Sequence, residues 1–95
     1  MTVMRISFKV MGRVQGVGYR WFVKETAAAR RLCGWVRNVA DGSVEGEAQG
    51  PVPELDAFLR ELKTGNACAL VEKLETQENM GPEADEKDFY IKASV

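Results

Sequence analysis

Hydrophobic and polar positions alternate near the start of the chain. In "MRISFKVMG", residues 4 to 12, Ile6, Phe8 and Val10 stand against Ser7 and Lys9. A period of two is that of a strand with one buried face. The period then changes. Tyr19, Phe22, Val23, Thr26 and Ala27 recur at helical spacing, and the run Ala27 to Ala29 favours helix. Arg30 and Arg31 fall near the end of that helix, where cations meet the negative end of its dipole, and Gly34 is expected to stop it.

"GWVRNVADGSVEGEAQG", residues 34 to 50, reads as a hairpin of strands near 35–40 and 43–49 around Asp41-Gly42. The pattern leaves its register open, since a longer turn also fits. "PVPELDAFLRELKTG" predicts a second helix. Pro53 suits its first turn, Glu54 and Asp56 its positive end, and Gly65 its stop. Its apolar stripe is Val52, Leu55, Phe58, Leu59 and Leu62. A strand is expected near 68–76, then a solvated acidic loop, "QENMGPEADEK", and a last strand in which Phe89, Ile91, Ala93 and Val95 alternate with Tyr90, Lys92 and Ser94.

This order is β-α-β-β-α-β with a further short strand at the end. Both helical stripes are buried most simply by laying two helices on one face of a mainly antiparallel sheet. The expected fold class is therefore α+β, a ferredoxin-like α/β sandwich. That architecture hosts many unrelated activities, so function must come from a site.

The bulk numbers narrow the choice. A chain of 95 residues with no repeat or linker predicts one domain, 1–95. A formal net charge of −1 argues against a general nucleic-acid binder. No apolar run is long enough to span a membrane. "MTVMRISFKV" lacks the apolar segment and cleavage site of a signal peptide, so a cytoplasmic location is expected. Cys33 and Cys68 have no metal-type spacing and are expected to be reduced. The histidine count is zero. That removes Ser-His and Cys-His catalysis and any histidine acid, base or metal ligand.

The remaining chemistry lies in "MGRVQGVGYRWF", residues 11 to 22. Gly12, Gly16 and Gly18 precede Arg20, which stands where a helix begins. A cation at that end opposes the helix dipole unless an anion sits beside it. The stretch is not a Walker A loop, which ends Gly-Lys-Ser/Thr. Nor is it a dinucleotide fingerprint, because Trp21 occupies the third glycine position and the setting is not a parallel β-α-β. It is still a glycine turn that opens a helix, able to aim several N–H groups at one spot. No Ser, Thr, Asp or Asn lies from 16 to 19 to cap the helix, and a bound anion would satisfy both the orphan N–H groups and Arg20.

"GRVQGVGYR" (12–20) and "GWVRNVADGSVE" (34–45) resemble the two signature segments of acylphosphatases. Length and element order fit as well, so the resemblance covers nearly the whole chain. It implies hydrolysis of the carboxyl-phosphate bond of acyl phosphates, with no metal, no cofactor and no phosphoenzyme. It implies Arg20 and Asn38 as catalytic residues and phosphate binding by the backbone of Gln15, Gly16, Val17, Gly18 and Tyr19 together with Arg20. The chain departs from the family at "GNA" (65–67), where members often carry "GPP", and at its end, "FYIKASV", where many members end in an aromatic residue.

That chemistry suits a chain without histidine. The leaving group is a carboxylate, which needs no proton, and the transition state of phosphoryl transfer is loose with its charge spread over the equatorial oxygens. Positive potential and a placed water are what the protein must supply. The partners expected are a small acyl phosphate and inorganic phosphate, the latter as product and competitive inhibitor. Neither nucleic acid nor membrane is expected, and a monomer is the default. A non-catalytic anion-binding module of the same fold is the alternative. An RNA binder of the same element order lacks its aromatic signature here. Arg13 and Arg37 read as surface cations, Trp21, Phe22 and Trp35 as packing groups, and Glu45 and Glu47 as a solvated strand face.

Overall fold

The computed structural model describes residues 3–78, 81–83 and 86–95. Its elements are β1 (Val3–Arg13), α1 (Tyr19–Ala29), β2 (Cys33–Asn38), β3 (Val44–Pro51), α2 (Val52–Thr64), β4 (Leu70–Glu78) and β5 (Phe89–Ile91). The strands form one sheet in the order β4-β1-β3-β2-β5. Its first four neighbours pair antiparallel and β5 adds to β2 in parallel, as the expected α+β sandwich requires.

Alternation decides which side of the sheet the helices cover. Ile6, Phe8, Val10, Val36, Val44, Ala48 and Phe89 point to one side, where Tyr19, Val23 and Ala27 of α1 and Leu55, Phe58 and Leu62 of α2 complete a buried core. Phe58 stands edge-on to Phe8, with ring centroids 5.6 Å apart. Residues between these, Arg5, Ser7, Lys9, Trp35, Arg37, Glu45 and Glu47, fall on the opposite, helix-free side by the same period of two. No helix among the described residues is long and apolar enough to cross a membrane.

Several boundaries differ from the expectation, each for a local reason. Helix α1 ends well before Gly34. Arg31 adopts a left-handed conformation, φ 56°. Its N–H donates to Ala28 O at 3.0 Å, and Leu32 N–H reaches back to Ala27 O at 3.0 Å. These are the two bonds of a Schellman termination. The chain is then free to enter β2 two residues early.

The hairpin turn is the longer alternative. Val39 N–H donates to Ser43 O at 2.9 Å and Gly42 N–H to Val39 O at 3.0 Å, with Gly42 at φ 94°. That is a three-residue loop with Gly42 at the bulge, so Asp41-Gly42 is not a two-residue turn. Strand β4 starts later than 68 because Asn66 holds a turn, accepting Cys68 N–H on its side chain at 2.8 Å.

The last strand is only Phe89–Ile91, and its expected alternation fails from Ile91 onward: Ile91, Ala93 and Val95 are exposed. The tail stays against β2 through Lys92 N–H to Val36 O, 2.8 Å, and Val95 N–H to Asn38 O, 3.0 Å.

The acidic segment 77–87 is not simply solvated. Gln77 and Glu78 belong to β4, whereas Asn79, Met80, Ala84 and Asp85 lie outside the described residues. Glu83 N–H donates to Gln49 Oε1 at 2.7 Å, and Glu86 meets the Arg5 guanidinium at 3.4 Å. Arg5 is only 4 % exposed, with its Nε 2.7 Å from Glu47. Burial works to lower the Arg5 pKa, but the bond to Glu47 and the charges of Glu86 and Glu47 outweigh it and hold it up.

Candidate functional site

Strand β1 runs out at Arg13, and five residues carry the chain into α1. Gly16 and Gly18 have φ of 76° and 75°, values that side chains other than glycine rarely adopt. Gly18 is the N-cap of α1, with no side-chain cap bond. Phe22 N–H closes the first turn on Gly18 O at 3.1 Å. Among the described residues, the backbone N–H groups of Gly16 to Trp21 find no acceptor in the chain.

The loop is nevertheless firmly held. Val14 is buried in the core and Val17 packs against it. Tyr19 is 1 % exposed and its hydroxyl donates to Leu62 O at 2.7 Å. Burial pushes that hydroxyl far above the ordinary tyrosine range, so it stays neutral and serves as an anchor. Gln15 supplies the other tie. Its Nε2 donates to Val39 O at 2.7 Å and Ser43 O at 2.8 Å, joining the loop to the hairpin turn. The turn itself is set by Asp41, whose Oδ1 accepts Ser43 N–H at 2.9 Å and the Ser43 hydroxyl at 2.5 Å.

Asn38 ends β2 just before that turn. Its parity with Val36, and its pairing with buried Val44, place it on the helix side of the sheet. Among the described residues its Oδ1 is buried with no hydrogen-bond partner. Such an atom costs about 1–3 kcal/mol if it stays unsatisfied. Asn38 is one wall of a cavity of about 210 Å³ that Gly16, Gly18, Arg20, Trp21 and Ile91 also line. Arg20 is half-buried there, and no carboxylate among the described residues pairs with it. The cavity therefore collects an unpaired guanidinium, an unpaired amide oxygen and a row of unpaired N–H groups, an arrangement that suits an oxyanion and a water molecule.

Of the residues singled out in the sequence, Gly16, Gly18, Tyr19, Arg20 and Asn38 meet at this cavity. Gln15 and Val17 contribute backbone to the same loop, but their side chains serve the turn and the core. Arg13 is exposed. Arg37 lies on the helix-free side, paired with Glu45 at 2.6 Å.

The aromatic expectations divide. Phe22 packs on Tyr19, with centroids 5.6 Å apart. Trp35 packs as well, but on the helix-free side, beneath Arg37 and Lys92, 4.8 and 4.3 Å from its centroid. Trp21 is the exception, 58 % exposed and lining the cavity. One sign of this was legible, because position 21 is off the apolar stripe of α1. Glu45 and Glu47 are ion-paired with Arg37 and Arg5 rather than merely solvated.

A larger hollow of about 570 Å³ lies on the helix-free side, against Lys9, Trp35, Arg37, Glu45, Glu47 and Glu75. Its charges are already matched: Lys9 with Asp41, Arg37 with Glu45, Arg5 with Glu47 and Lys73 with Glu75. It offers an ion no unbalanced charge, and the smaller cavity is the better candidate site.

Comparison with known proteins agrees with the resemblance seen in the sequence. The profile of the Acylphosphatase family matches residues 6–91. An acylphosphatase of Moorella thermoacetica is 45 % identical over 97 aligned residues, which cover 100 % of both chains. One from Koribacter versatilis is 46 % identical, covering 92 % of this chain and 78 % of its own. Among solved structures, the crystal structure of acylphosphatase from Bacillus subtilis superposes with a TM-score of 0.88 at 38 % identity, covering 95 % of this chain and 98 % of that one.

Proposed function

The chain belongs to the acylphosphatase family, and we propose that it hydrolyses small acyl phosphates with the phosphate held by the Gly16–Tyr19 turn and Arg20 and the attacking water held by Asn38. The backbone of Gln15 and Val17 completes the loop. The reading takes residues 1–95 as one domain acting as a monomer in the cytoplasm. Loop and Asn38 come from one chain, which suits a monomer. Cys33 is buried and Cys68 exposed, so the fold does not join them, which suits a reducing compartment.

The reaction asks little of the protein in covalent terms. Water oxygen bonds to phosphorus as the bond from phosphorus to the acyl oxygen breaks, and that electron pair leaves on the carboxylate. The carboxylate is stable as an anion, so no general acid has to protonate it. Charge on the equatorial oxygens is met by the planar guanidinium of Arg20 and by the loop N–H groups, as preorganised, charge-assisted hydrogen bonds. Asn38 can donate to and accept from the water. Its amide is not a base, so the water's proton passes to the phosphate itself. An alkyl phosphomonoester would leave as an alkoxide and would need an acid or a metal that this mechanism does not include.

One observation carries the reading: the buried, unpartnered Oδ1 of Asn38, a residue that lines the same cavity as Arg20. A non-catalytic anion-binding module would keep Arg20 and the loop but leave that oxygen without a task. The deciding experiment is steady-state hydrolysis of benzoyl phosphate, with and without chelator, by wild type and Asn38→Ala. Turnover should survive chelation. Asn38→Ala should lower kcat by roughly 10²-fold while phosphate inhibits as before. Full kcat in the variant would remove Asn38 from the mechanism, and loss of activity to chelator would overturn the metal-free route.

A further inference from the structure

We propose that Trp21 and Ile91 form the acyl-group subsite of this cavity and bias the enzyme toward acyl phosphates with an aromatic or bulky apolar acyl group. The inference rests on the functional reading above, which puts phosphate at the loop.

The cavity has both polar and apolar walls. Arg20, Asn38 and the glycine turn are the polar ones; Trp21 and Ile91 stand on the same cavity. Trp21 follows Arg20 directly in the first turn of α1, and Ile91 closes β5, which is paired to β2 beside Val36. Both are large hydrophobic groups left open to solvent, 58 % and 37 % exposed. Neither is required by the core, which is complete without them. The Lys24 ammonium lies over the Trp21 ring at 4.6 Å from its centroid, a cation–π contact that holds the indole in place.

An acyl phosphate has a matching division. Its phosphate is the anionic end, and the acyl group lies across the scissile bond. With the phosphate in the loop and Asn38 holding water, the acyl group is left to the open side of the cavity. A methyl group there would reach little of the indole. A phenyl ring could cover apolar surface on both Trp21 and Ile91 and, against the indole, gain an offset or edge contact.

The test compares selectivity rather than activity. The ratio of kcat/KM for benzoyl phosphate over acetyl phosphate should fall about 10-fold in Trp21→Ala, by a smaller factor in Ile91→Ala, and little in Trp21→Phe, which keeps an aromatic face. Binding gives a second measure that needs no turnover. Wild type should bind benzylphosphonate about 10-fold more tightly than methylphosphonate, and Trp21→Ala should lose most of that preference. An unchanged preference in Trp21→Ala, or none in wild type, overturns the subsite. A wild type that hydrolyses neither acyl phosphate overturns the functional reading instead, and the two phosphonates still decide this inference.

Discussion

Arg5 is 4 % exposed and holds Glu47 at 2.7 Å, Gln49 at 3.1 Å and Glu86 at 3.4 Å. Arg20 is half-buried on a cavity and, among the described residues, holds nothing. A guanidinium withdrawn from water loses hydration worth several kcal/mol unless neighbours replace it. The chain itself supplies the replacement for Arg5, on β3 and on the segment beyond β4. Around Arg20 it adds further demand for negative charge, in the form of uncapped N–H groups at the start of α1. The charge is the same and burial is deeper at Arg5; what separates a structural arginine from a functional one here is where its counter-charge comes from.

The largest expected effect follows from exchanging the two fates. Arg20→Ala should lower kcat/KM for benzoyl phosphate by roughly 10³-fold or more, since it removes charge stabilisation in ground and transition states together. Its melting temperature without ligand should stay near that of wild type. Phosphate at ten times its Kd should stabilise wild type by about 1.4 kcal/mol, and Arg20→Ala should lose most of that gain. Arg5→Met keeps the aliphatic stem but strands Glu47 and Glu86, and should cost about 3 kcal/mol, a shift of roughly 10–20 °C. The folded fraction of that variant should turn over benzoyl phosphate within a few-fold of wild type. If calorimetry finds Arg20→Ala as unstable as Arg5→Met, both arginines are structural and the comparison collapses.

A smaller effect is expected between these extremes, at Gln15. Its amide nitrogen is engaged inside the chain, as the Arg5 guanidinium is, yet it lies in the loop that serves Arg20. We read it as a positioning residue that keeps the turn and Asn38 in register. Gln15→Ala should lower kcat about 10-fold, with the phosphate inhibition constant moving less than about 3-fold, because misplacing the water hurts turnover more than anion binding. Gln15→Glu should do worse, its carboxylate facing two carbonyl oxygens. If phosphate affinity falls as far as kcat, Gln15 merely stiffens the loop.

Much of this was open to a reading of the sequence, and the remainder fails for identifiable reasons. Strand β1, both helices and the glycine turn follow from periodicity and from residues with one dominant conformational use. The unfavourable placing of Arg20 at a helix start is visible without coordinates. Arg5 was not legible as a buried group, because a cation alternating with Ile6 looks like any solvated strand position; its cover comes from Glu86, 81 residues away. The end of α1 was misjudged because Arg31, not a glycine, takes the left-handed cap. Trp21 was misplaced because a large aromatic side chain usually packs, an expectation that outweighed its position off the apolar stripe of α1. The role of the Gln15 side chain depends on two carbonyls brought to it by the hairpin, and no local pattern reports that.

The smallest expected effect tests how far pairing counts when water is not excluded. Asp41 is paired as fully as Arg5 but at the surface. The Ser43 hydroxyl, then the Ser43 N–H, then Lys9 at 3.1 Å draw its carboxyl down to about 2 from an ordinary value near 3.8. The folded value lies below the unfolded one, so the carboxylate stabilises the fold fully above the unfolded value, and that contribution is lost as pH falls from about 4 through about 2. Asp41→Asn keeps an oxygen for Ser43 and removes the charge. Its melting temperature should lie slightly below that of wild type at pH 7, and the two curves should converge as pH approaches 2. Added salt should narrow the gap at pH 7 only in part, since it screens Lys9 but leaves the Ser43 bonds in place. A gap that stays constant from pH 7 to pH 2 would mean that the carboxylate charge contributes nothing, and that at this exposed turn, unlike at Arg5, pairing is geometry alone.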